Sequence, residues 1–332
     1  MKKNIYNLYY LGIILLLSSC MVSKKPLQIP ASTDVCLVSE SAHIYDSLLA
    51  NIRPNYDTTG TYQTINQRFS LRTTNMSKNI GAYDLLCQYA KLEKNSQQNT
   101  ISLEDKLAFL TVKQELNQQI NVANADITNI LAELDCEKAR ILEAKSYLEN
   151  WIAGRVNKLT VGSIFTGALG GILTGVIALL KPDDSNTEQQ VVAIGGAAIS
   201  AYLGMEAVVV KKKIKFYHAR NYLQDFVDKP KYSRIYAPTV WNFVSKEFNK
   251  SGKTTSGCEI VLQKWQILGL LDVANKKQAT QNKLLLGNGG NYTTDELQAR
   301  LDMLDIIAEE IDLTKYDLKR IQQELLLGYK LN

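Results

Sequence analysis

The residues of this sequence that could do chemistry are few, because its 332 residues include only five cysteines and two histidines. No C-x-x-C pair is present, so a zinc site or a thiol-redox site has little support. His43 and Asp46 lie one helical turn apart, but no third ligand or nucleophile motif accompanies them. We therefore predict a non-enzymatic protein with no metal, no cofactor and no small-molecule substrate. An enzyme using His43 or His218 is the weakest alternative.

Cys20 is the cysteine with a definite candidate chemistry, acylation of its thiol. Lys2 and Lys3 precede an apolar run that ends in Leu-Ser-Ser-Cys at residues 17–20. This ending resembles the lipobox of bacterial lipoproteins, in which the cysteine is acylated and the preceding signal peptide is removed. The resemblance implies a signal peptide over 1–19, a lipid such as palmitate on Cys20, and a tether over 20–38. An ordinary signal peptide that happens to contain a cysteine is the alternative.

The residues that follow Cys20 indicate where such a lipoprotein would reside. Met21 is not the aspartate that favours retention in the inner membrane, and no acidic cluster of the kind that some bacteria use for surface export follows it. We therefore expect a lipid anchor in the outer membrane of the cell envelope, with the protein facing the periplasm.

The four remaining cysteines are even in number, which in an oxidising compartment favours two disulfides. Three pairings are possible for Cys36, Cys87, Cys136 and Cys258. We favour Cys36–Cys87 and Cys136–Cys258, because the second would clamp the helix that enters the mid-chain apolar region to the one that returns from it. Free buried thiols are the alternative.

Two apolar segments in mid-chain, Leu159–Leu180 and Val191–Val210, carry a small residue at every fourth position. On a helix such residues share one face, where another backbone can approach closely. Each segment is about 30 Å long as a helix, which matches the hydrocarbon core of a bilayer. The pattern predicts a glycine-zipper helical hairpin over 159–210 that enters a membrane, as a transmembrane hairpin, or an apolar interface with a protein partner. Its predicted packing residues are Ser163, Gly167, Gly171 and Gly175 on the first helix, and Gly196, Ser200 and Gly204 on the second.

A lysine cluster, Lys211, Lys212, Lys213 and Lys215, follows the second apolar segment directly. A nucleic-acid partner makes little sense for an exported lipoprotein, so we predict none. Lysines beside an apolar helix attract lipid phosphates by about 1 kcal/mol each. We therefore predict that the four lysines lie at a membrane surface, with Tyr217 and Tyr222 at headgroup depth. A solubilising charge block is the alternative.

Two heptad stripes predict long helices on either side of the hairpin. One stripe belongs to a helix that begins near Ser102, the other to a C-terminal helix that begins at Thr293, and a further long helix is predicted over 259–286. The stripes consist of Ile120, Ile127, Leu134, Ile141 and Leu148, and of Leu297, Leu304, Ile311, Leu318 and Leu325. We favour their burial within one chain over an oligomer seam, because apolar residues flank them.

The predicted fold is therefore all-α, an elongated bundle of long antiparallel helices with the apolar glycine-zipper hairpin inserted mid-chain. Its predicted regions are an N-terminal helical region over 39–158, the hairpin over 159–210, a basic aromatic connector over 211–258 and a C-terminal helical hairpin over 259–332.

The lipobox together with paired small-x-x-x-small helices resembles the glycine-zipper two-helix lipoproteins of the outer membrane. That resemblance covers about the first 20 residues and the hairpin, and it implies a structural or assembly role in the envelope. Membrane lipid and either further copies of the chain or an envelope complex would be the partners. The layout is also similar to that of the α-helical pore-forming haemolysins, so a pore former that inserts 159–210 into a target bilayer is the alternative function.

Overall fold

The computed structural model describes residues 25–28, 36, 62–96, 102–180, 186–218, 220–250, 253–271 and 279–327. Helices account for most of these residues, and the described strands are short, which confirms the predicted helical class. Residues 39–61 of the predicted N-terminal helical region lie outside the described residues, as do the candidate lipidation site Cys20 and the pair His43 and Asp46.

The helices are named here in chain order. They are α1 (Tyr62–Arg68), α2 (Leu71–Asn79), α3 (Tyr83–Ser96), α4 (Leu103–Leu180), α5 (Asn186–Val209), α6 (Gln224–Asp228), α7 (Pro238–Ser245), α8 (Gly257–Ile267), α9 (Ala279–Leu286), α10 (Thr294–Asp312) and α11 (Thr314–Leu327).

The strands form two small sheets. They are β1 (Leu27–Gln28), β2 (Ile214–Tyr217), β3 (Phe248–Lys250), β4 (Lys253–Thr255) and β5 (Gly289–Tyr292). One sheet has the order β1-β2-β5, with β1 parallel to β2, and the other is the antiparallel pair β3 and β4.

The chain divides into two compact units. The hairpin unit contains, among the described residues, 25–28, 147–180 and 186–215, and the helical unit contains most of the others. In the helical unit α2 packs against α11, α1 packs against α3, and α10 packs against α8 and α11. Helix α4 contributes residues to both units.

Both heptad stripes are buried within the chain. Their ten residues are at most 4% exposed, so they form core rather than a surface seam, as predicted. The predicted helix starts are also correct. The Ser102 hydroxyl accepts a hydrogen bond from the Asp105 amide at 3.0 Å, and Thr293 with Glu296 forms a full capping box.

Helix lengths in the C-terminal third differ from the prediction. The helix expected over 259–286 is divided into α8 and α9, with Gly269 at a positive φ of 67° after the end of α8. The helix expected from Thr293 onward is interrupted at Leu313. Strand β5 lies between α9 and α10, and its Gly289 has a φ of 93° and is so close to Phe216 that a Cβ would collide with the Phe216 carbonyl.

Both favoured disulfide pairings are wrong. The disulfide of the structure joins Cys36 to Cys136, whereas Cys87 and Cys258 are free thiols, 2% and 0% exposed. Each of these two thiols fills space in the core as a small apolar side chain. Burial raises the pKa of Cys87 to about 11 and that of Cys258 to about 12, which suppresses the thiolate form.

Candidate membrane-association site

The C-terminal end of α4 and helix α5 pack as a close helical hairpin. The closest approach joins Gly170 to Gly196, where a Cβ built on Gly196 would lie 3.1 Å from the Gly170 Cα. A Cβ on Gly167 would lie 3.4 Å from the Ser200 hydroxyl oxygen. Only small residues allow two helix backbones to approach this closely. The contact between α4 and α5 is therefore possible because Gly167, Gly170 and Gly196 have no side chain.

Two serines join the helices through hydrogen bonds near the same contact. The Ser163 hydroxyl donates to the Ser200 carbonyl at 2.9 Å, and the Ser200 hydroxyl donates to the Ser163 carbonyl at the same distance. The hydroxyls of Thr166 and Thr174 donate hydrogen bonds to backbone carbonyls of their own helix. The polar side chains of the contact are therefore satisfied inside the hairpin, as an apolar environment requires.

The predicted packing face of the second helix is correct, but that of the first is only half correct. Ser163 and Gly167 meet α5 together with Gly170, whereas a Cβ on Gly171 or Gly175 would meet nothing within 4 Å. A strict row of every fourth residue winds away from the contact line between nearly antiparallel helices, because four residues exceed one turn by about 40°. The first helix therefore continues its contact through Gly170 instead of Gly171.

Gly171 and Gly175 line an open groove along one flank of the hairpin. The groove has a volume of about 730 Å³, and the described residues that line it are all Gly, Ala, Ser, Thr or Gln. Ala193, Ala197 and Ala201 line it from α5. The flank is thus smooth, with backbone close to its surface.

Large apolar side chains project from the remaining outer surface of the hairpin. Ile172 is 62% exposed and Phe165 is 64% exposed on α4, and Ile194 is 68% exposed on α5. Both helices are long enough and apolar enough to cross a membrane, and only 6% of each apolar window is buried. A soluble protein rarely exposes an apolar surface of this extent, so the hairpin has the surface of a membrane-associated element.

No family model, curated protein or solved structure matches this chain.

The predicted lysine cluster divides into two kinds of residue. Lys211, Lys213 and Lys215 are exposed at the end of α5 and along one face of β2. Lys212 is only 8% exposed, and its ammonium lies 5.0 Å from the centre of the Trp151 ring, so its prediction as a surface residue is wrong. The alternation arises because successive residues of extended chain point to opposite sides.

The two tyrosines predicted at headgroup depth also differ in their exposure to solvent. Tyr217 is 54% exposed, but Tyr222 is 4% exposed and donates a hydrogen bond to Glu133 at 3.0 Å within the helical unit. Tyr222 is therefore a core residue, and its expected membrane contact is wrong.

The helical unit contains a buried polar cluster that was not predicted from the sequence. His218 Nδ1 lies 3.3 Å from Glu137, and His218 Nε2 lies 2.7 Å from the Tyr292 hydroxyl. Arg300, 0% exposed, lies 3.6 Å from Glu137 and donates to the Leu285 carbonyl at 2.8 Å. The one sequence signal for this cluster is Glu137, which occupies an otherwise apolar heptad position.

Burial determines the protonation states of this cluster. It lowers the pKa of His218 to about 4, although Glu137 opposes the shift, and it raises the pKa of Tyr292 to about 12. Near neutral pH the imidazole is therefore uncharged beside Arg300 and Glu137. Because these groups bind one another and backbone carbonyls, we interpret the cluster as a structural connection between α4, β5 and α10.

Proposed function

We propose that this protein is a non-enzymatic lipoprotein of the cell envelope, anchored in the outer membrane through an acylated Cys20 and facing the periplasm. In this proposal the hairpin enters the bilayer and gives the protein a structural or assembly role. The observation that carries the proposal is the exposed apolar surface around α5 and the end of α4. In water this surface would be costly, whereas a bilayer would solvate it.

The charged residues at the base of the hairpin are compatible with its insertion into a bilayer. Arg155 and Lys158 precede the first apolar segment, and Lys211 and Lys213 follow the second. Glu206, the acidic residue of the second apolar window, lies in the last turn of α5 near these lysines. Headgroups would accept all of these charges at one surface, so none needs to reach the centre of the hydrocarbon core.

Self-association of hairpins forms the second part of the proposal. The flank with Gly171 and Gly175 exposes little but small side chains, which would let the backbone of a second hairpin approach. Further copies of the chain are accordingly the partner that we propose for this flank.

A vesicle flotation experiment tests the membrane part. The Cys20→Ser protein, produced without residues 1–19, has neither the signal peptide nor the acylation site, so the hairpin is the apolar segment left to insert, and we expect the protein to float with the vesicles. An additional Ile172→Asp change should lower the partition coefficient about 100-fold, since a carboxylate near the middle of a spanning helix costs about 3 kcal/mol. Leu326→Asp is the matched control, because Leu326 is 77% exposed but lies outside the hairpin.

Four results would count against the proposal. Failure of Cys20→Ser protein to bind vesicles, or equal losses for the two aspartate variants, would refute hairpin insertion. Rapid release of an enclosed dye on binding would instead favour the pore-forming alternative. Incorporation of labelled palmitate into the full-length Cys20→Ser protein would refute the assigned anchor.

A further inference from the structure

Strand β1 lies soon after the candidate lipidation site Cys20 in the chain and pairs with β2 at the base of the hairpin. Leu27 pairs with Ile214 and Gln28 pairs with Lys215, and the Leu27 amide donates to the Lys213 carbonyl at 2.8 Å. Ile214 follows the end of α5 at Val209 by five residues. The segment around Leu27 is thus fixed beside the chain that leaves the membrane hairpin.

The parallel direction of the β1–β2 pairing determines on which side of the sheet the residues before β1 lie. Because β1 and β2 are parallel, the end of β1 that leads back to Cys20 lies toward the end of β2 that leads back to α5. Lys25, which is exposed, therefore precedes β1 on the same side as Lys211 and Lys213.

Chain length limits how far Cys20 can be from that point. Leu27 is seven positions after Cys20 in the chain. Even a fully extended chain of this length spans no more than about 25 Å. A lipid on Cys20 would consequently hold the base of the hairpin within about 25 Å of the bilayer that contains the lipid.

We infer that the hairpin enters the same bilayer that holds the lipid of Cys20, and that β1 acts as the strap that keeps the hairpin base at that bilayer's surface. This inference rests on the proposed function, since it assumes both the anchor and the insertion. A short tether makes insertion into that bilayer effectively intramolecular, which favours it over insertion into a facing membrane. Lys25, which precedes the strap, and Lys211 and Lys213, which precede β2, would then contact the phosphates of one leaflet.

Fluorescence quenching can distinguish the two bilayers. Acylated protein with Ile172→Cys, labelled on that cysteine with an environment-sensitive dye, is reconstituted into vesicles while Cys87 and Cys258 remain buried. A nitroxide quencher lipid is placed either in these carrier vesicles or in added protein-free vesicles. We expect quenching by the carrier lipid alone. A dye on Leu326→Cys, outside the hairpin, should be quenched in neither case.

The outcomes separate failure of the inference from failure of the proposed function. Quenching by the added vesicles alone, or equally by both, would overturn the inference while leaving membrane insertion intact. The absence of quenching in either arrangement would refute insertion itself, and the inference with it.

A second variant tests the strap directly. Cysteines in place of the paired residues Leu27 and Ile214 should form a disulfide in the acylated protein, and quenching by the carrier lipid should persist unchanged in the locked form. Failure of this disulfide to form would contradict the pairing. Loss of carrier quenching on locking would show that the hairpin inserts only after the strap detaches, and would also overturn the inference.

Discussion

Gly170 and Gly196 face each other at backbone distance, with a Cβ on Gly196 only 3.1 Å from the Gly170 Cα. Their neighbours Ser163 and Ser200 exchange hydrogen bonds at 2.9 Å along the same line. These two pairs define the packing face of the hairpin, and they place Gly171 on a different face from Gly170.

Substitutions at these adjacent glycines should therefore act differently. Gly170→Leu places a side chain where backbone already lies, so it should separate the helices at a cost of about 1–3 kcal/mol. Gly171→Leu should leave the helix pair intact and weaken only the association between hairpins. The rate of disulfide formation between cysteines at 163 and 200 measures the first effect, and cross-linking between copies in detergent measures the second.

The opposite pattern would contradict the assigned faces. If Gly171→Leu slowed the disulfide between positions 163 and 200 while Gly170→Leu did not, the contact through Gly170 would be wrong. Leu173→Ala is a useful control because Leu173 is 49% exposed and lies away from the contact, so it should change neither rate.

The thiols should show a simple reaction pattern. Digestion without reduction should yield one peptide pair that joins Cys36 to Cys136. Iodoacetamide should leave Cys87 and Cys258 unmodified in the folded protein, because both are buried and their pKa values are raised to about 11 and about 12. Both should react once denaturant is added. Recovery of a peptide pair containing Cys87 or Cys258 would contradict the structure.

The buried imidazole of His218 should make stability depend on pH. The folded protein keeps His218 neutral down to a pKa of about 4, whereas the unfolded chain takes up this proton near pH 6.5. The contribution of His218 to stability should thus be constant above neutral pH and fall as the pH drops from 6.5 toward 4, by about 3 kcal/mol at about 1.4 kcal/mol per pKa unit.

Denaturant unfolding at several pH values measures this dependence. His218→Gln removes the titrating group while keeping a polar side chain, so the difference between the two proteins isolates the histidine from the carboxylates that titrate in the same range. The difference should shrink as the pH falls. A difference that does not change between pH 7 and pH 4 would show that burial does not perturb His218.

Periodicity was enough to predict the helical core. Each heptad stripe indicates which face of its helix is buried. Both stripes are buried as expected, with Leu134 and Ile311 each 0% exposed. The capping boxes likewise depend on residues three apart, so Thr293 with Glu296 could be recognised without tertiary information.

Features that depend on the relative placement of distant segments could not be predicted in this way. The pairing of Cys36 with Cys136 and the cluster of Glu137, His218 and Arg300 join residues far apart in sequence. The choice between Gly170 and Gly171 depends on the crossing geometry of two helices, which the residue types leave open because glycine stands at both positions.

Photolabelling by lipid in native membranes tests the central claim most directly. Envelope membranes that contain the unmodified protein are given a phospholipid with a photoactivatable group in its acyl chain, and labelled residues are mapped by mass spectrometry. We predict labels on outer hairpin residues such as Ile172 and Ile194, and none on Tyr316 or Leu326, which are 66% and 77% exposed outside the hairpin. An unlabelled hairpin, or labels equally frequent on Tyr316 and Leu326, would contradict the proposal that the hairpin lies in the bilayer.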